Sequence, residues 1–138
     1  MARVALVVPC FNEAARLDVD AFRGFQLPGH QLEFVFVNDG STDNTLQILE
    51  TLGAPIVNLE KNSGKAEAVR RGMLAAMDRS PDYVGFWDAD LATPLSELPG
   101  MMEIAEKGDA IQMVFCARVR LLGLLGLIRL TEAGARAT

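Results

Sequence analysis

Two carboxylates stand two residues apart in "GFWDADLATP", residues 85–94, directly after a run of aromatic and apolar side chains. Neighbouring carboxylates repel each other, and charge held near a core is costly. Asp88 and Asp90 become tolerable together when a divalent cation binds both of them. Two acids on a tight turn give such an ion one or two bonds, and diphosphate oxygens and water complete its shell. The cation, Mg²⁺ or Mn²⁺, would neutralise phosphates and stabilise charge on a departing diphosphate. The competing reading of this pair alone is an acidic turn that caps the next helix.

The elements that must carry these acids are legible as apolar runs. "VALVVP" (4–9) is β-branched and continuous, as in a strand buried on both faces. "LEFVFVND" (32–39), "PIVNLE" (55–60) and "YVGFWDAD" (83–90) follow the same style, and "AIQMVF" (110–115) reads as a fifth strand. Helical patterns lie between them. "STDNTLQILETLG" (41–53) opens on candidate caps Ser41, Thr42 and Asp43 and stops at Gly53. "KAEAVRRGMLAAMDRS" (65–80) places Ala66, Val69, Met73 and Met77 on one side, and "PLSELPGMMEIAEKG" (94–108) is a weaker helix interrupted by Pro99 and Gly100. Alternating strands and helices predict a three-layer α/β fold with a mostly parallel sheet. Ligands of such sheets bind beyond the carboxyl ends of the strands. The polar clusters fall there: Asn12 and Glu13, Asn38 and Asp39, Asn62 to Lys65, and Asp88 with Asp90.

Length and composition narrow the classes. The chain has 138 residues, of which 50% are hydrophobic, enough for one packed domain. A formal net charge of −5 speaks against a nucleic-acid binder. Cys10 and Cys116 fit neither a zinc spacing nor a redox pair and read as small thiols in a reducing compartment. His30, the sole histidine, lies in a "PGHQ" loop and is assigned no role. The N-terminal apolar run is too short for a signal peptide, and "LLGLLGLIRL" (121–130) is about half a membrane span. These features predict a cytoplasmic protein, which could work at the cytoplasmic face of a membrane.

Three nucleotide-site fingerprints fail. No GxGxxG follows the first strand. Around "NSGKA", Leu59 and Ala66 occupy positions where a P-loop needs Gly and Ser or Thr. Ala92 breaks the DxDx[TV] pattern of haloacid-type phosphatases.

"VVPCFNEAARL", "FVNDGSTDNT", "NSGKAEAVRRGM" and "GFWDADLATP", in this order, resemble the family 2 glycosyltransferases of GT-A fold, a Rossmann-like nucleotide-diphospho-sugar transferase architecture. The likeness is greatest to the branch that makes dolichyl-phosphate and polyprenyl-phosphate sugars, particularly the β-glucosyltransferase type. "CARVRLLG" (116–123) resembles that branch's "GSRV" segment. The resemblance implies roles by position. Pro9, Asn12 and Glu13 match P-x-[FY]-N-E, which shapes the nucleotide pocket. Asp39 matches the second acid of D-D-G-S, which accepts from the base, with Asn38 in place of the first; Gly40 lets the backbone turn beside the ligand. Lys65 would contact the diphosphate, Asp88 the sugar or ribose as well as the metal, and Asp90 the metal most directly. Arg70 and Arg71 read as solvent-facing, and Trp87 as core.

The resemblance thus implies transfer of a hexose from a UDP- or GDP-sugar, with polyprenyl or dolichyl phosphate as acceptor. The acceptor half of the family is not recognisable: no acid is assigned as catalytic base, and Glu132 is not read as one. Residues 1–116 are expected to form the nucleotide-sugar-binding unit and 117–138 an apolar tail, the remnant of an acceptor region. The fold would then be incomplete at its C-terminus. The alternative is a non-catalytic nucleotide-sugar-binding fragment. A sugar nucleotidyltransferase would need a glycine- and arginine-rich loop after the first strand, and "PCFNEAARL" is not one. The tail is expected to pack as a helix on the sheet, or on a second copy in a homodimer.

Overall fold

A computed structural model describes residues 1–108, 113–117 and 124–130. The strands are β1 (Arg3–Cys10), β2 (Gln31–Asp39), β3 (Ile56–Leu59), β4 (Tyr83–Phe86), β5 (Met113–Ala117) and β6 (Leu124–Arg129). The helices are α1 (Val19–Gly24), α2 (Thr45–Glu50), α3 (Lys65–Met77) and α4 (Leu98–Glu106), the last preceded by a 3₁₀ turn at Leu95–Glu97. The sheet order is β3-β2-β1-β4-β6-β5. β1 pairs in parallel with β2 and β4, and β2 with β3, so the predicted mostly parallel sheet forms.

The continuous apolar strands divide between two faces because successive side chains alternate. Val4, Leu6, Val8 and Phe36 face α1, α2 and α4, packing with Phe22, Leu49, Leu98, Met101 and Met102. Ala5, Val7, Val35 and Val37 face α3. On α3 the buried residues are Ala68, Gly72 and Ala76 rather than the expected Ala66, Val69, Met73, Met77 stripe; Val69 and Met73 are half-buried. Small residues win because the helix lies close to the sheet. A Cβ on Gly72 would sit 2.3 Å from Val7 Cγ1 and 2.7 Å from Val37 Cγ2.

Several local expectations change. α1 was not foreseen; Asp18 caps it by accepting from the Ala21 amide at 3.0 Å. α2 begins only after Asn44, because Ser41, Thr42 and Asp43 are used in a loop described below. Pro99 does not interrupt α4 but lies in its first turn, where a missing N–H costs nothing.

The largest correction concerns the apolar tail. Leu124–Arg129 is a strand, not a helix, and it inserts between β4 and β5, antiparallel to both. Glycines weaken a helix here, and pairing satisfies the open edge of β4. Gly126 stands opposite both Phe86 and Phe115. Leu127 of this strand is buried within the chain. Arg129 closes the strand by donating to the Ala105 carbonyl of α4 and lying over the Tyr83 ring.

Candidate functional site

The parallel order brings the carboxyl ends of β1 to β4 to one edge, and the four polar clusters meet there. The turn after β4 is fixed first. Trp87, buried as expected, donates its backbone N–H to Val7 O at 2.9 Å and its indole N–H to Thr93 O at 2.9 Å. Leu91 donates to Asp88 O at 3.1 Å, and Ala92 donates to Asp90 Oδ1 at 2.9 Å. Leu91 is held at φ +53°, a left-handed conformation that costs a non-glycine residue about 1–2 kcal/mol. Such strain persists where the surroundings impose it, and it clusters at ligand sites.

Asp88 is half-buried, and its Oδ1 forms an ion pair with Lys65 Nζ, on the first residue of α3. The positive end of the helix dipole disfavours a cation at that position, and Asp88 offsets it. Asp88 Oδ2 and Asp90 Oδ2 take no hydrogen bond among the described residues. Among the described residues no three His, Cys, Asp or Glu side chains group to hold a metal. Two hard carboxylates with unused oxygens fit a divalent cation that draws its remaining ligands from a bound anion and water.

Glu13 approaches this turn from β1. Its Oε1 accepts from Arg16 Nη2 at 2.9 Å, and its Oε2 is buried without a partner. Burial pushes the Glu13 carboxyl up, Arg16 opposes this, and the charges of Asp90 and Asp43 add to it. Glu13 and Asp90, from different loops, therefore feel each other's charge. Asn12 braces the neighbouring loop. At φ +50°, it accepts at Oδ1 from the amides of Thr42 at 2.8 Å and Asp43 at 3.4 Å, and its own amide donates to Ser41 Oγ at 3.0 Å. The Glu13 amide donates to Thr45 Oγ1 at 3.0 Å, and that hydroxyl donates to Asp43 Oδ1. Asn12 and Glu13 thereby stitch the loop after β1 to the loop after β2.

Asp39, 3% exposed, spends its carboxylate on the loop after β3. Oδ1 accepts from Ser63 N at 2.7 Å; Oδ2 accepts from Gly64 N at 3.1 Å and Asn62 Nδ2 at 3.3 Å. These bonds set the position from which α3, and so Lys65, departs. Gly40 is required by contact as well as by its φ of +66°: a Cβ there would lie 2.3 Å from Lys61 C and from Asn62 N. Asn38 donates to Asn58 Oδ1 at 2.8 Å, while its own Oδ1 is buried without a partner.

Pro9 pairs in register with Val37 and lies beyond the last β1–β4 pair, so its missing N–H is not needed there. Arg70 and Arg71 face solvent as expected, and Arg70 pairs with Glu67 at 2.6 Å. Cys10 is an inert core thiol, pushed up to about 12 by burial and by the charge of Glu13. His30 has a structural role, since Nδ1 accepts from Ala2 N at 3.0 Å and Nε2 lies 3.0 Å from Glu106 Oε1. The Cys116 side chain and Glu132 lie outside the described residues. The sequence reading missed Arg16, Asn58 and the Thr45 hydroxyl. Of these, only Asn58 carried a signal, as an amide at the end of an apolar strand in register with Asn38.

Comparison with known proteins agrees with this arrangement. The sequence profile of the family described as Glycosyl transferase family 2 matches residues 5–125. A bactoprenol glucosyl transferase of Shigella phage SfV is 36% identical over 114 residues, covering 77% of this chain and 36% of that protein. A poly-beta-1,6-N-acetyl-D-glucosamine synthase of Staphylococcus aureus is 32% identical over 91 residues, covering 63% of this chain and 21% of that protein. The chain thus spans about a third or less of the length of these relatives. Glucosyl-3-phosphoglycerate synthase of Mycobacterium tuberculosis, solved with Mn²⁺, UDP and glucosyl-3-phosphoglycerate, superposes with a TM-score of 0.65 at 28% identity, over 81% of this chain and 42% of that one. The mannosyltransferase PcManGT of Pyrobaculum calidifontis, solved with GDP-Man and Mn²⁺, shares the fold at a TM-score of 0.68 and 20% identity, over 93% of this chain and 44% of that one.

Proposed function

The chain belongs to glycosyl transferase family 2, and we propose that it forms the donor site of a hexosyltransferase that takes a nucleoside-diphosphate sugar and serves a polyprenyl-phosphate acceptor. The observation that carries this reading is the Asp88–Asp90 turn, held at the carboxyl edge of the sheet with Lys65 beside it. When bound, a divalent cation would neutralise the diphosphate and stabilise charge on the departing nucleoside diphosphate. Asp90 and Asp88 would hold it. Lys65 would reach the phosphates from the start of α3. Pro9, Asn12, Glu13, Asp39 and Gly40 would shape the nucleotide pocket, with Asp39 and Asn12 acting through the loops they fix.

The lipid-phosphate acceptor is supported by the 36% identity to the phage bactoprenol glucosyl transferase. Such an acceptor is already anionic, so it needs orientation more than a strong base. Mn²⁺ and UDP are supported by the Mycobacterium enzyme, in whose structure both are present. No helix among the described residues is long and apolar enough to cross a membrane. We place the reaction at the cytoplasmic face of a membrane, where nucleotide sugars and lipid phosphates meet. The 1–116 donor unit and 117–138 remainder belong to the same proposal, although β6 (Leu124–Arg129) completes the donor sheet across that boundary.

Calorimetric titration of UDP, GDP and UDP-glucose, with and without Mn²⁺, tests the reading on the wild-type chain and on Asp90→Ala. The expected result is binding of one nucleotide that depends on Mn²⁺ and is lost in the variant. A folded chain that binds none of them refutes it.

A further inference from the structure

We infer that Lys65 is the resident counter-ion of the carboxylate pair and makes cation binding at Asp88 conditional on the nucleotide. The inference rests on the donor-site reading above and adds a rule of order to it. Four observations support it. Lys65 Nζ pairs with Asp88 Oδ1, so the carboxylate charge that would attract a cation to Asp88 Oδ2 is already balanced. The Asp88 side chain is 18% exposed whereas that of Lys65 is 51% exposed, so the lysine is the partner with room to move. The amides of Ser63 and Gly64, which would otherwise meet an anion ahead of α3, are taken by Asp39. Arg16 is engaged by Glu13 and Arg70 by Glu67, while Lys61, in the loop after β3, carries no ion pair among the described residues and is not tied to either carboxylate of the Asp88–Asp90 turn.

A diphosphate arriving at this edge finds in Lys65 the cation whose release also frees a carboxylate of the Asp88–Asp90 turn. The exchange conserves opposite-charge contacts only when both ligands come together. Lys65 leaves Asp88 for a phosphate oxygen, and Asp88 takes the cation. Without a nucleotide, Lys65 gives up a half-buried carboxylate for water, and weak binding of the free cation follows. With it, the same movement is compensated. Each ligand then raises the affinity for the other by one common factor, as linkage requires.

Free Mn²⁺ measured by electron paramagnetic resonance, with and without UDP, tests this on the full 138-residue chain and on Lys65→Met, Lys65→Arg and Arg70→Met. Lys65 is exposed enough for the variants to fold, which circular dichroism checks. In Lys65→Met we expect Mn²⁺ alone to bind about tenfold more tightly and the enhancement by UDP to shrink by a similar factor, within the usual range of coupling between sites. Lys65→Arg should keep the wild-type pattern. Arg70→Met, which removes a charge from the same helix, should change neither quantity. Unaltered affinity for Mn²⁺ alone in Lys65→Met overturns the inference while leaving the donor site standing. A tightening in Arg70→Met equal to that in Lys65→Met reduces the effect to overall charge and also overturns it. Wild type that takes no Mn²⁺ even with UDP present removes the donor-site reading itself, and the inference with it.

Discussion

Replacing Asp39 by Asn tests whether this carboxylate braces the loop after β3. Asn keeps the size of the side chain and the turn preference ahead of Gly40, so the charge and one acceptor oxygen are what change. Asp39 is buried and accepts two short backbone bonds, from Ser63 at 2.7 Å and Gly64 at 3.1 Å. Hydrogen bonds to a charged group contribute about 1.5–3 kcal/mol each and neutral ones about 1 kcal/mol. An amide can keep one of the two as a neutral bond, but its NH₂ must then face the other donor. The loss is two charged bonds less one neutral bond, roughly 2–5 kcal/mol. The longer Asn62 contact at 3.3 Å is left out of this sum. A domain of this size is stable by about 5–15 kcal/mol, so the midpoint of urea unfolding should fall visibly with its slope unchanged. Amide exchange adds a local readout: Ser63 and Gly64 should lose protection more than the amides of β1. A stability loss below about 1 kcal/mol, with both amides still protected, would show that the carboxylate is not spent on the loop.

Gly40→Ala should be at least as damaging. Left-handed backbone costs alanine about 1–2 kcal/mol, and overpacking adds about 1–3 kcal/mol, because a Cβ would meet the Lys61–Asn62 backbone at 2.3 Å. Thermal unfolding measures it, and a loss under about 1 kcal/mol would contradict the close approach of the two loops. Glu13→Gln should instead stabilise the chain at neutral pH. Burial raises the Glu13 carboxyl in the folded state, so the folded chain holds this proton longer than the unfolded one does. Stability therefore falls as pH rises from the ordinary glutamate range through the raised value, and that loss is complete above it. The glutamine variant should lack this fall, and urea titrations from about pH 4 to about pH 8 compare the two slopes. Asp90→Asn should bring the Glu13 carboxyl down, because one of its repelling neighbours is gone. A carbon-detected NMR titration of Glu13 reads this without any ligand.

What the sequence made legible here is what local chemistry decides. β1, β2 and β4 are buried on both faces, so each reads as an unbroken apolar run, and each run ends where the sheet meets solvent. That is enough to put Asn12, Asp39 and Asp88 on one edge, because a parallel order leaves no other place for the carboxyl ends. Pairing across long sequence separations was not legible. The Leu121–Leu130 run is apolar except at Gly123, Gly126 and Arg129, which fall three apart, so its periodicity does not point to the strand over Leu124–Arg129. Its identity as β6 depends on the open edge of β4, which no local window contains. The same reason explains the site. The resemblance implied a base contact for Asp39 and a pocket-shaping role for Asn12; their partners within the chain, the loops beside them, come from pairings no local window contains. A short polar side chain at a strand end satisfies the nearest unpaired amides before anything else, because a buried N–H left alone costs more than a ligand contact forgone while the site is empty. Lys65 and Asp88 obey the same demand, and under the inference above theirs is the pairing that a ligand would exchange, since the lysine is long, half-exposed and charged. The proposed division between brace and contact within these motifs rests on how completely each group is satisfied within the chain itself.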